Sequence, residues 1–131
     1  MIVVDTSAAL RALTDETSDV ALLKRLATTS MHVPHLIDAE VLNALRGLVL
    51  GRKISADRAN DARRDFAALH LTRYPIRDLG DRVWGLRDNL TAYDACYVAL
   101  AEALDCPLVT SDAKLAGAAG HFAQIDVYPP K

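Results

Sequence analysis

The sequence predicts an α/β protein, a three-layer α/β/α sandwich around a central, mostly parallel sheet of roughly five strands. Short apolar runs alternate along the chain with longer segments of helical periodicity. This alternation is typical of parallel strands joined by right-handed helical crossovers. The chain has 131 residues, 51% of them apolar and 24% charged, which suits one domain with its own core. We therefore expect residues 1–131 to form a single domain.

Five short apolar runs predict the strands, and each is followed within a few residues by a turn or by residues that favour a helix start. They cover residues 2–4, 31–33, 69–72, 108–110 and 125–127. Helical periodicity occupies the intervals between them. It predicts helices over residues 8–13, 18–27, 36–50, 55–68, 78–90 and 93–104, with a short helix after Ser111. In such folds, ligands bind beyond the carboxyl ends of the strands.

Two of the predicted helices are apolar on nearly every face, as expected of helices buried against a sheet and another helix. Glu40 lies in the first of them, and Asp94 lies near the start of the second. Burying a carboxylate without a partner is costly, so each charge needs compensation. A reciprocal cap with Thr91 would account for Asp94. No cap position is available to Glu40, for which a partnered core glutamate is the structural alternative.

Two further acids come at the ends of predicted strands. Asp5 follows residues 2–4, and Asp112 follows residues 108–110 after one serine. Each also precedes a predicted helix and could simply cap it, because an aspartate there accepts hydrogen bonds from free amides. All four acids should nevertheless project toward the same rim of the sheet.

That shared rim predicts a binding site for a divalent cation. Carboxylates a few ångströms apart repel one another, and hard oxygen ligands suit Mg²⁺ or Mn²⁺. The expected catalytic and metal-binding residues are Asp5, Glu40, Asp94 and Asp112. One or two ions would fit the pattern. A cation held there could polarise a phosphate oxygen and lower the pKa of a bound water for in-line attack.

Other chemistries have no support in the sequence. The four histidines lack the spacing of a zinc site, and no glycine falls in a strand–turn–helix fingerprint for phosphates. Cys96 and Cys106 are expected to be buried thiols. The sequence contains no signal-peptide core and no apolar run of membrane length, so we expect a cytoplasmic protein that does not contact a membrane.

Charge is unevenly distributed, although the net charge is only −2. Residues 46–87 contain ten basic and five acidic residues, a net charge of +5 that leaves −7 for the rest of the chain. Two interpretations stay open. Asp57, Asp61 and Asp65 recur at helical spacing beside arginines, which favours solvated helix faces with ion pairs. A basic rim beside the acidic site would instead suit a polyanion.

Four segments, which together span nearly the whole chain, carry the features of a known family. They are Ile2-Val3-Val4-Asp5-Thr6-Ser7-Ala8, Glu40-Val41-Leu42-Asn43, Asn89-Leu90-Thr91-Ala92-Tyr93-Asp94-Ala95 and Val109-Thr110-Ser111-Asp112. In order and spacing the chain resembles the PIN-domain family, in particular the VapC-type toxins of prokaryotic toxin–antitoxin systems. The Leu-Thr-Ala-Tyr-Asp-Ala block is the most specific of these signals.

The resemblance implies a PIN-like sandwich in which four acids coordinate Mg²⁺ or Mn²⁺, directly or through water, and three polar residues line or support the pocket. The acids are Asp5, Glu40, Asp94 and Asp112, and the supporting residues are Ser7, Asn43 and Thr110. It further implies a prokaryotic endoribonuclease that cleaves tRNA or rRNA, leaves a 5′-phosphate and forms a homodimer. A cognate VapB-type antitoxin would silence it, often by placing an arginine in the acidic pocket.

Three alternatives belong to other functional classes. A PIN-like module that binds RNA or protein without catalysis would keep the same residues. A signalling receiver domain would need an acceptor aspartate after a middle strand, where Arg73-Tyr74-Pro75 stands, and a lysine after the last strand, where Tyr128-Pro129-Pro130 follows. A phosphatase with an aspartyl nucleophile is disfavoured because the position two after Asp5 is Ser7 and not a second acid.

Overall fold

The computed structural model describes residues 1–15 and 19–130. A five-stranded sheet, parallel throughout, lies at its centre with the strand order β3-β2-β1-β4-β5. The strands are β1 (Ile2–Val4), β2 (Met31–Pro34), β3 (Leu71–Tyr74), β4 (Leu108–Thr110) and β5 (Ile125–Val127). Helices flank this sheet, so the predicted α/β/α sandwich is confirmed.

Helices join the strands, and most begin where the sequence provides a capping side chain. They are α1 (Thr6–Thr14), α2 (Val20–Thr28), α3 (Leu36–Leu50), α4 (Ala56–Ala67), α5 (Gly80–Gly85), α6 (Ala92–Leu104) and α7 (Ala113–Ala116). The side chains of Asp5, Asp19, Ser55, Thr91 and Asp112 each accept a hydrogen bond from an amide in the first turn. These amides have no partner within the helix, so the caps stabilise its start. The predicted start of the second helix at Ser18 lies outside the described residues.

The third strand lies two residues later than the predicted range 69–72. The end of α4 continues into a turn in which the Leu69 amide donates to the Phe66 carbonyl (3.1 Å). Residues 69 and 70 therefore belong to the helix exit, and pairing with β2 begins at Leu71.

The predicted helix over residues 78–90 is wrong in its length. A 3₁₀ turn (Arg77–Leu79) precedes α5, which has only six residues, and turns follow up to residue 89. Glycines stand at both ends of α5, and glycine costs a helix about 1 kcal/mol relative to alanine. The apolar periodicity of this segment was compatible with a helix, but its backbone preference was not.

The core is built around β1 and α6. Every side chain of β1 is buried, and α6 is buried continuously from Ala95 to Ala101. The expectation that both apolar helices are buried all round holds for α6 only. In α3 a stripe of Ile37, Val41 and Leu45 is buried, whereas Leu42 and Leu50 are 50% and 66% exposed.

The strand order places the end of β1 beside the end of β4. From β1 the chain passes outward to β2 and β3, and then returns through α6 to β4 and β5 on the other side. Neighbouring strands whose connections diverge in this way leave a crevice at their carboxyl ends, where ligands of open α/β sheets bind. Asp5 directly follows β1, and Asp112 follows β4 after one serine, so the topology sets both acids at this crevice.

Two expectations about the chain as a whole are tested by the same structure. Among the helices of the described residues, none has the length and apolar character needed to cross a membrane. Both cysteines are free thiols; Cys96 is buried as predicted, but Cys106 is only half-buried.

Candidate functional site

Asp5 is a buried carboxylate that three donors hold in place. Its Oδ1 accepts hydrogen bonds from the Ser7 hydroxyl (2.7 Å) and the Ala8 amide (2.9 Å). Its Oδ2 accepts a short bond from the Thr110 hydroxyl. The residue is only 7% exposed, and this burial raises the pKa of Asp5 although the three hydrogen bonds lower it; the charge of Asp94 raises it further. The protein thus compensates this charge only in part.

Two hydroxyl groups connect the ends of β1 and β4. Thr110 is fully buried, donates to Asp5, and accepts a hydrogen bond from the Asp112 amide (3.0 Å). Ser7 also donates to Asp5 and accepts from the Ser111 amide (3.0 Å). The backbone of Asp112 is therefore fixed relative to the carboxylate of Asp5.

Glu40 is half-buried in the second turn of α3 and receives hydroxyl groups from two other helices. Its Oε1 accepts hydrogen bonds from Tyr97 of α6 (2.6 Å) and from Thr6 of α1 (2.9 Å). The two hydroxyl oxygens lie 2.9 Å apart. Burial, and then the bond to Glu40, raise the pKa of Tyr97 well above its usual value, so this hydroxyl is a donor at physiological pH.

Asp94 is the acid with the fewest partners. Its amide donates to the Thr91 hydroxyl (3.2 Å), but within residues 1–15 and 19–130 its carboxylate accepts no hydrogen bond, so the predicted reciprocal cap is only half formed. Partial burial of the carboxyl raises the pKa of Asp94, and the charges of Asp112 and Glu40 raise it further. Since Asp94 also raises the pKa of Asp5, it is the acid that couples electrostatically to all three others.

No side chain of the described chain neutralises the four acids with a positive charge. The salt bridges lie elsewhere and join Arg11 to Asp15 and Asp19, Arg25 to Asp126, Arg73 to Asp38, and Arg82 to Glu102. Equally, no three His, Cys, Asp or Glu side chains of the described residues are arranged to hold a metal ion. The four acids influence one another without enclosing an ion.

The chemistry of these groups nevertheless fits a hard divalent cation. The donors are carboxylate oxygens, which Mg²⁺ and Mn²⁺ prefer. In the part of the chain described, the Asp94 carboxylate and Oε2 of Glu40 accept no hydrogen bond, so these oxygens can bind an ion without giving one up. Asp5 is fixed, but its Oδ2 accepts a hydrogen bond from Thr110 alone and so retains a lone pair for a further ligand.

The predicted supporting residues divide into two groups. Ser7 and Thr110 contact Asp5 directly. Asn43 lies one turn after Glu40 on α3, but its side chain is exposed and forms no hydrogen bond with any described residue.

Thr6 and Tyr97 contact the site and were not predicted. One signal was present in the sequence: a tyrosine in a helix that is apolar all round needs a partner for its hydroxyl, and Tyr97 lies one turn after Asp94. The partner could not be read from local spacing, because Glu40 is 57 residues from Tyr97 and 34 from Thr6.

The basic residues of segment 46–87 match neither interpretation fully. Arg73 and Arg82 form bidentate ion pairs with Asp38 and Glu102 at 2.7–2.9 Å. The ion pairs expected along α4 do not form among the described residues, and Arg63 donates to Asn60 instead. Exposed cations with no acidic partner in the described chain are Arg46, Arg52, Lys53, Arg63, Arg64, Arg77 and Arg87.

Comparison with known proteins decides the family. The family model described as PIN domain matches residues 2–120. The chain belongs to the PIN-domain family. This PIN domain is 44% identical over 129 residues to Ribonuclease VapC9 of Mycobacterium tuberculosis, an alignment that covers 98% of this chain and 99% of that protein. It is accordingly a VapC-type member, and the resemblance noted in the sequence is confirmed.

Two solved structures share the fold. PAE2754 from Pyrobaculum aerophilum superposes on this PIN domain with a TM-score of 0.70 at 22% identity, covering 96% of this chain and 83% of that one. VapBC2 from Rickettsia felis, solved bound to a DNA fragment from its promoter, gives a TM-score of 0.68 at 13% identity and covers 98% and 99%. At these identities the likeness concerns the fold alone.

Proposed function

We propose that the chain is the toxin of a toxin–antitoxin pair and a Mg²⁺- or Mn²⁺-dependent endoribonuclease. The observation that carries this proposal is the gathering of four acids at the crevice between β1 and β4, with no cation of the described chain to balance them. The proposed ligands of the cation, which are also the proposed catalytic residues, are Asp5, Glu40, Asp94 and Asp112.

Each acid brings a different property to the proposed site. A bound cation would supply Lewis acidity toward a phosphate oxygen and would acidify a bound water. Asp5, fixed by three donors, provides a rigid reference point at the end of β1. Glu40 offers Oε2, while Asp94 offers both oxygens at the open side of the site. Asp112 is fixed through its backbone to Thr110.

The proposed substrate is cellular RNA of the tRNA or rRNA class. Support comes from the relative named a ribonuclease and from the exposed cations of segment 46–87. Arginine and lysine contacts to phosphates position RNA without reading its sequence. Unpaired bases of a structured RNA are the common targets of specific recognition.

The proposed partners are a VapB-type antitoxin and a second copy of the chain, in the cytoplasm of a prokaryote. The antitoxin proposal is supported by VapC-type membership and by the Rickettsia felis structure, which is named VapBC2. An unbalanced acidic crevice is also a suitable target for an arginine of an inhibiting peptide, because buried carboxylates and guanidinium groups form strong bidentate pairs.

The test is cleavage of total RNA by the purified protein with Mg²⁺, with Mn²⁺ and with EDTA. Wild-type protein should cleave only with metal and leave 5′-phosphate ends that a ligase can capture. Asp5→Asn and Asp94→Asn should lose cleavage. Asp61→Asn, which removes an exposed aspartate of α4, is the matched control and should cleave normally. Equal cleavage by wild-type protein and both site variants would remove the proposed site.

A second candidate is a catalytically silent PIN-like module that binds RNA or protein. One observation favours it, namely that no three metal-binding side chains of the described residues stand ready around an ion. Calorimetry separates the two candidates: heat of Mn²⁺ binding that disappears in Asp94→Asn supports the nuclease, and RNA binding without any Mn²⁺ binding supports the silent module.

A further inference from the structure

A triangle of three oxygen atoms joins α1, α3 and α6. Its corners are Oε1 of Glu40, the hydroxyl of Tyr97 and the hydroxyl of Thr6, and its edges measure 2.6, 2.9 and 2.9 Å. Tyr97 and Thr6 belong to neither the proposed ligands nor the predicted supporting residues. The triangle therefore calls for an explanation of its own.

The hydrogen atoms of the triangle show which contacts are bonds. Each hydroxyl has one hydrogen, and an ionised carboxylate can only accept. Two hydrogens therefore serve three edges. Oε1 of Glu40 carries the charge and is the strongest acceptor of the three atoms, so both hydroxyls donate to it and the edge between Thr6 and Tyr97 has no hydrogen of its own. The two hydroxyls lie close together because they share one acceptor, so the carboxylate is the centre of the arrangement.

This arrangement restrains Glu40 strongly. Tyr97 is 2% exposed, so its hydroxyl has no access to bulk water if Glu40 turns away. A buried donor without a partner is penalised by its full cost of desolvation, and hydrogen bonds to a charged acceptor are stronger than neutral ones. Rotation of Glu40 would take the charged acceptor from both hydroxyls, the buried one of Tyr97 and the half-buried one of Thr6.

Both bonds end on the same oxygen. Within the described ranges Oε2 of Glu40 accepts nothing, so the restraint fixes the carboxylate while leaving one oxygen available. If the two hydroxyls served only to provide hydrogen bonds for a core glutamate, we would expect one to donate to each carboxylate oxygen.

We propose that Tyr97 and Thr6 are positioning residues that hold Oε1 of Glu40 and leave Oε2 as the oxygen for the cation or its water. This inference rests on the proposed function and extends it to two residues outside the acidic set. Groups that orient a metal ligand commonly change metal affinity or activity by about 10–100-fold when they are removed.

The experiment measures Mn²⁺ affinity of the full chain by calorimetry in the absence of RNA, together with the initial rate on total RNA and the melting temperature. Tyr97→Phe keeps the buried ring and removes the hydroxyl, while Thr6→Val replaces the hydroxyl by a methyl group of similar size. Thr6→Ser keeps the donor. Tyr74→Phe is the matched control, because it removes a hydroxyl that bonds to His32 (2.7 Å) away from the acids.

The double variant Tyr97→Phe/Thr6→Val should bind Mn²⁺ about 10–100-fold more weakly and cleave correspondingly more slowly. Each single variant should show a smaller loss. Thr6→Ser should lie much closer to wild-type affinity than Thr6→Val, and Tyr74→Phe should match wild type. The rescue by serine separates positioning from a general loss of packing.

The outcomes separate this inference from the proposal beneath it. If wild-type protein binds Mn²⁺ and Glu40→Gln does not, but the folded double variant stays within twofold of wild type, the positioning role is overturned alone. If wild-type protein binds no Mn²⁺, the proposed function is wrong, and this inference, which rests on it, is wrong too. Should the double variant fail to fold, Thr6→Val decides: unchanged affinity overturns the role, and a loss that Thr6→Ser avoids supports it.

Discussion

Replacing Asp94 by asparagine should stabilise the metal-free protein and remove most of the stabilisation that Mn²⁺ provides. The carboxylate accepts no hydrogen bond among the described residues, and its amide would still donate to Thr91, so the substitution breaks no bond. What changes is the charge. Partial burial first, and then repulsion from Asp112 and Glu40, raise the pKa of Asp94 in the folded protein.

The sign of the effect follows from this raised pKa. An acid with a raised pKa in the folded state contributes stability that is fully present below its unfolded pKa of about 3.9 and is lost as the pH rises through the folded value. At neutral pH the ionised Asp94 therefore destabilises the metal-free protein. Asparagine carries no charge, so the variant escapes this loss.

Solvent screening limits how much the charge of Asp94 destabilises the folded protein, because this residue is exposed. We expect a gain of about 0.5–1 kcal/mol in the free energy of unfolding at pH 7, which is the lower part of the range for single stabilising substitutions. For a domain of this size that corresponds to a melting temperature about 2–4 °C higher in EDTA. Mn²⁺ at about 100 times its Kd should stabilise wild-type protein by about 2.7 kcal/mol, or roughly 8–13 °C. The variant should gain less than half of that.

Calorimetric melting between pH 4 and pH 8, in EDTA and in Mn²⁺, provides the assay. Asp61→Asn is the control, since this exposed aspartate of α4 has no hydrogen bond or ion pair in the described part of the chain. The advantage of Asp94→Asn in EDTA should shrink as the pH falls toward 4. A lower melting temperature for Asp94→Asn in EDTA, or an equal gain from Mn²⁺ in both proteins, would refute this reasoning.

Three further predictions concern an ion pair away from the site, a residue that contacts Asp5 and an exposed arginine. Arg82→Ala should lower the free energy of unfolding in urea by about 2–4 kcal/mol, because it leaves the 3%-exposed Glu102 side chain without its cation. Burial alone would raise the pKa of Glu102, but its bonds to Arg82 and to a backbone amide hold the pKa below its usual value. The stability from this ion pair is therefore present above about pH 4.5 and lost in acid. If the free energy of unfolding of Arg82→Ala fell as steeply in acid as that of wild type, this role of Arg82 would be wrong. Thr110→Val removes a donor to Asp5 and an acceptor for a backbone amide, so urea unfolding should show a loss of about 1–3 kcal/mol, and no loss would mean that these bonds contribute nothing. Arg46→Ala should leave the free energy of unfolding within about 0.5 kcal/mol of wild type. It should reduce the slope of log RNA affinity against log salt concentration by about 1, and an unchanged slope would mean that RNA does not contact Arg46.

Most of the fold could be predicted because local chemistry and topology agreed. The range predicted for α3 is the observed one, Leu36–Leu50, and the caps at Asp5 and Asp112 occur as their local spacing indicated. The capping and clustering interpretations of these two aspartates proved compatible, since both caps lie at the point where the strand order reverses. The segment that failed, residues 78–90, contains two glycines, Gly80 and Gly85, whose backbone preference opposes the apolar pattern.

The parts of the site that could not be predicted depend on contacts between distant segments. Thr6 and Tyr97 reach Glu40 only after three helices pack, and no spacing in the sequence reports this. Asn43 shows the opposite error, because one helical turn of separation from Glu40 places it on a nearby face without determining its exposure. The sequence pointed to Asp94 mainly through the family block around it. In the structure, the charges of Asp112 and Glu40 raise the pKa of Asp94, and the charge of Asp94 raises the pKa of Asp5.

An anomalous-scattering map from crystals of the protein soaked in Mn²⁺ would locate the cation itself. The proposed function predicts a peak among the carboxylates of Asp5, Glu40, Asp94 and Asp112, with oxygen ligands at about 2.0–2.3 Å and Oε2 of Glu40 as the nearer oxygen of that residue. Absence of a peak at the crevice at millimolar Mn²⁺, or a peak bound only at other carboxylates, would contradict it.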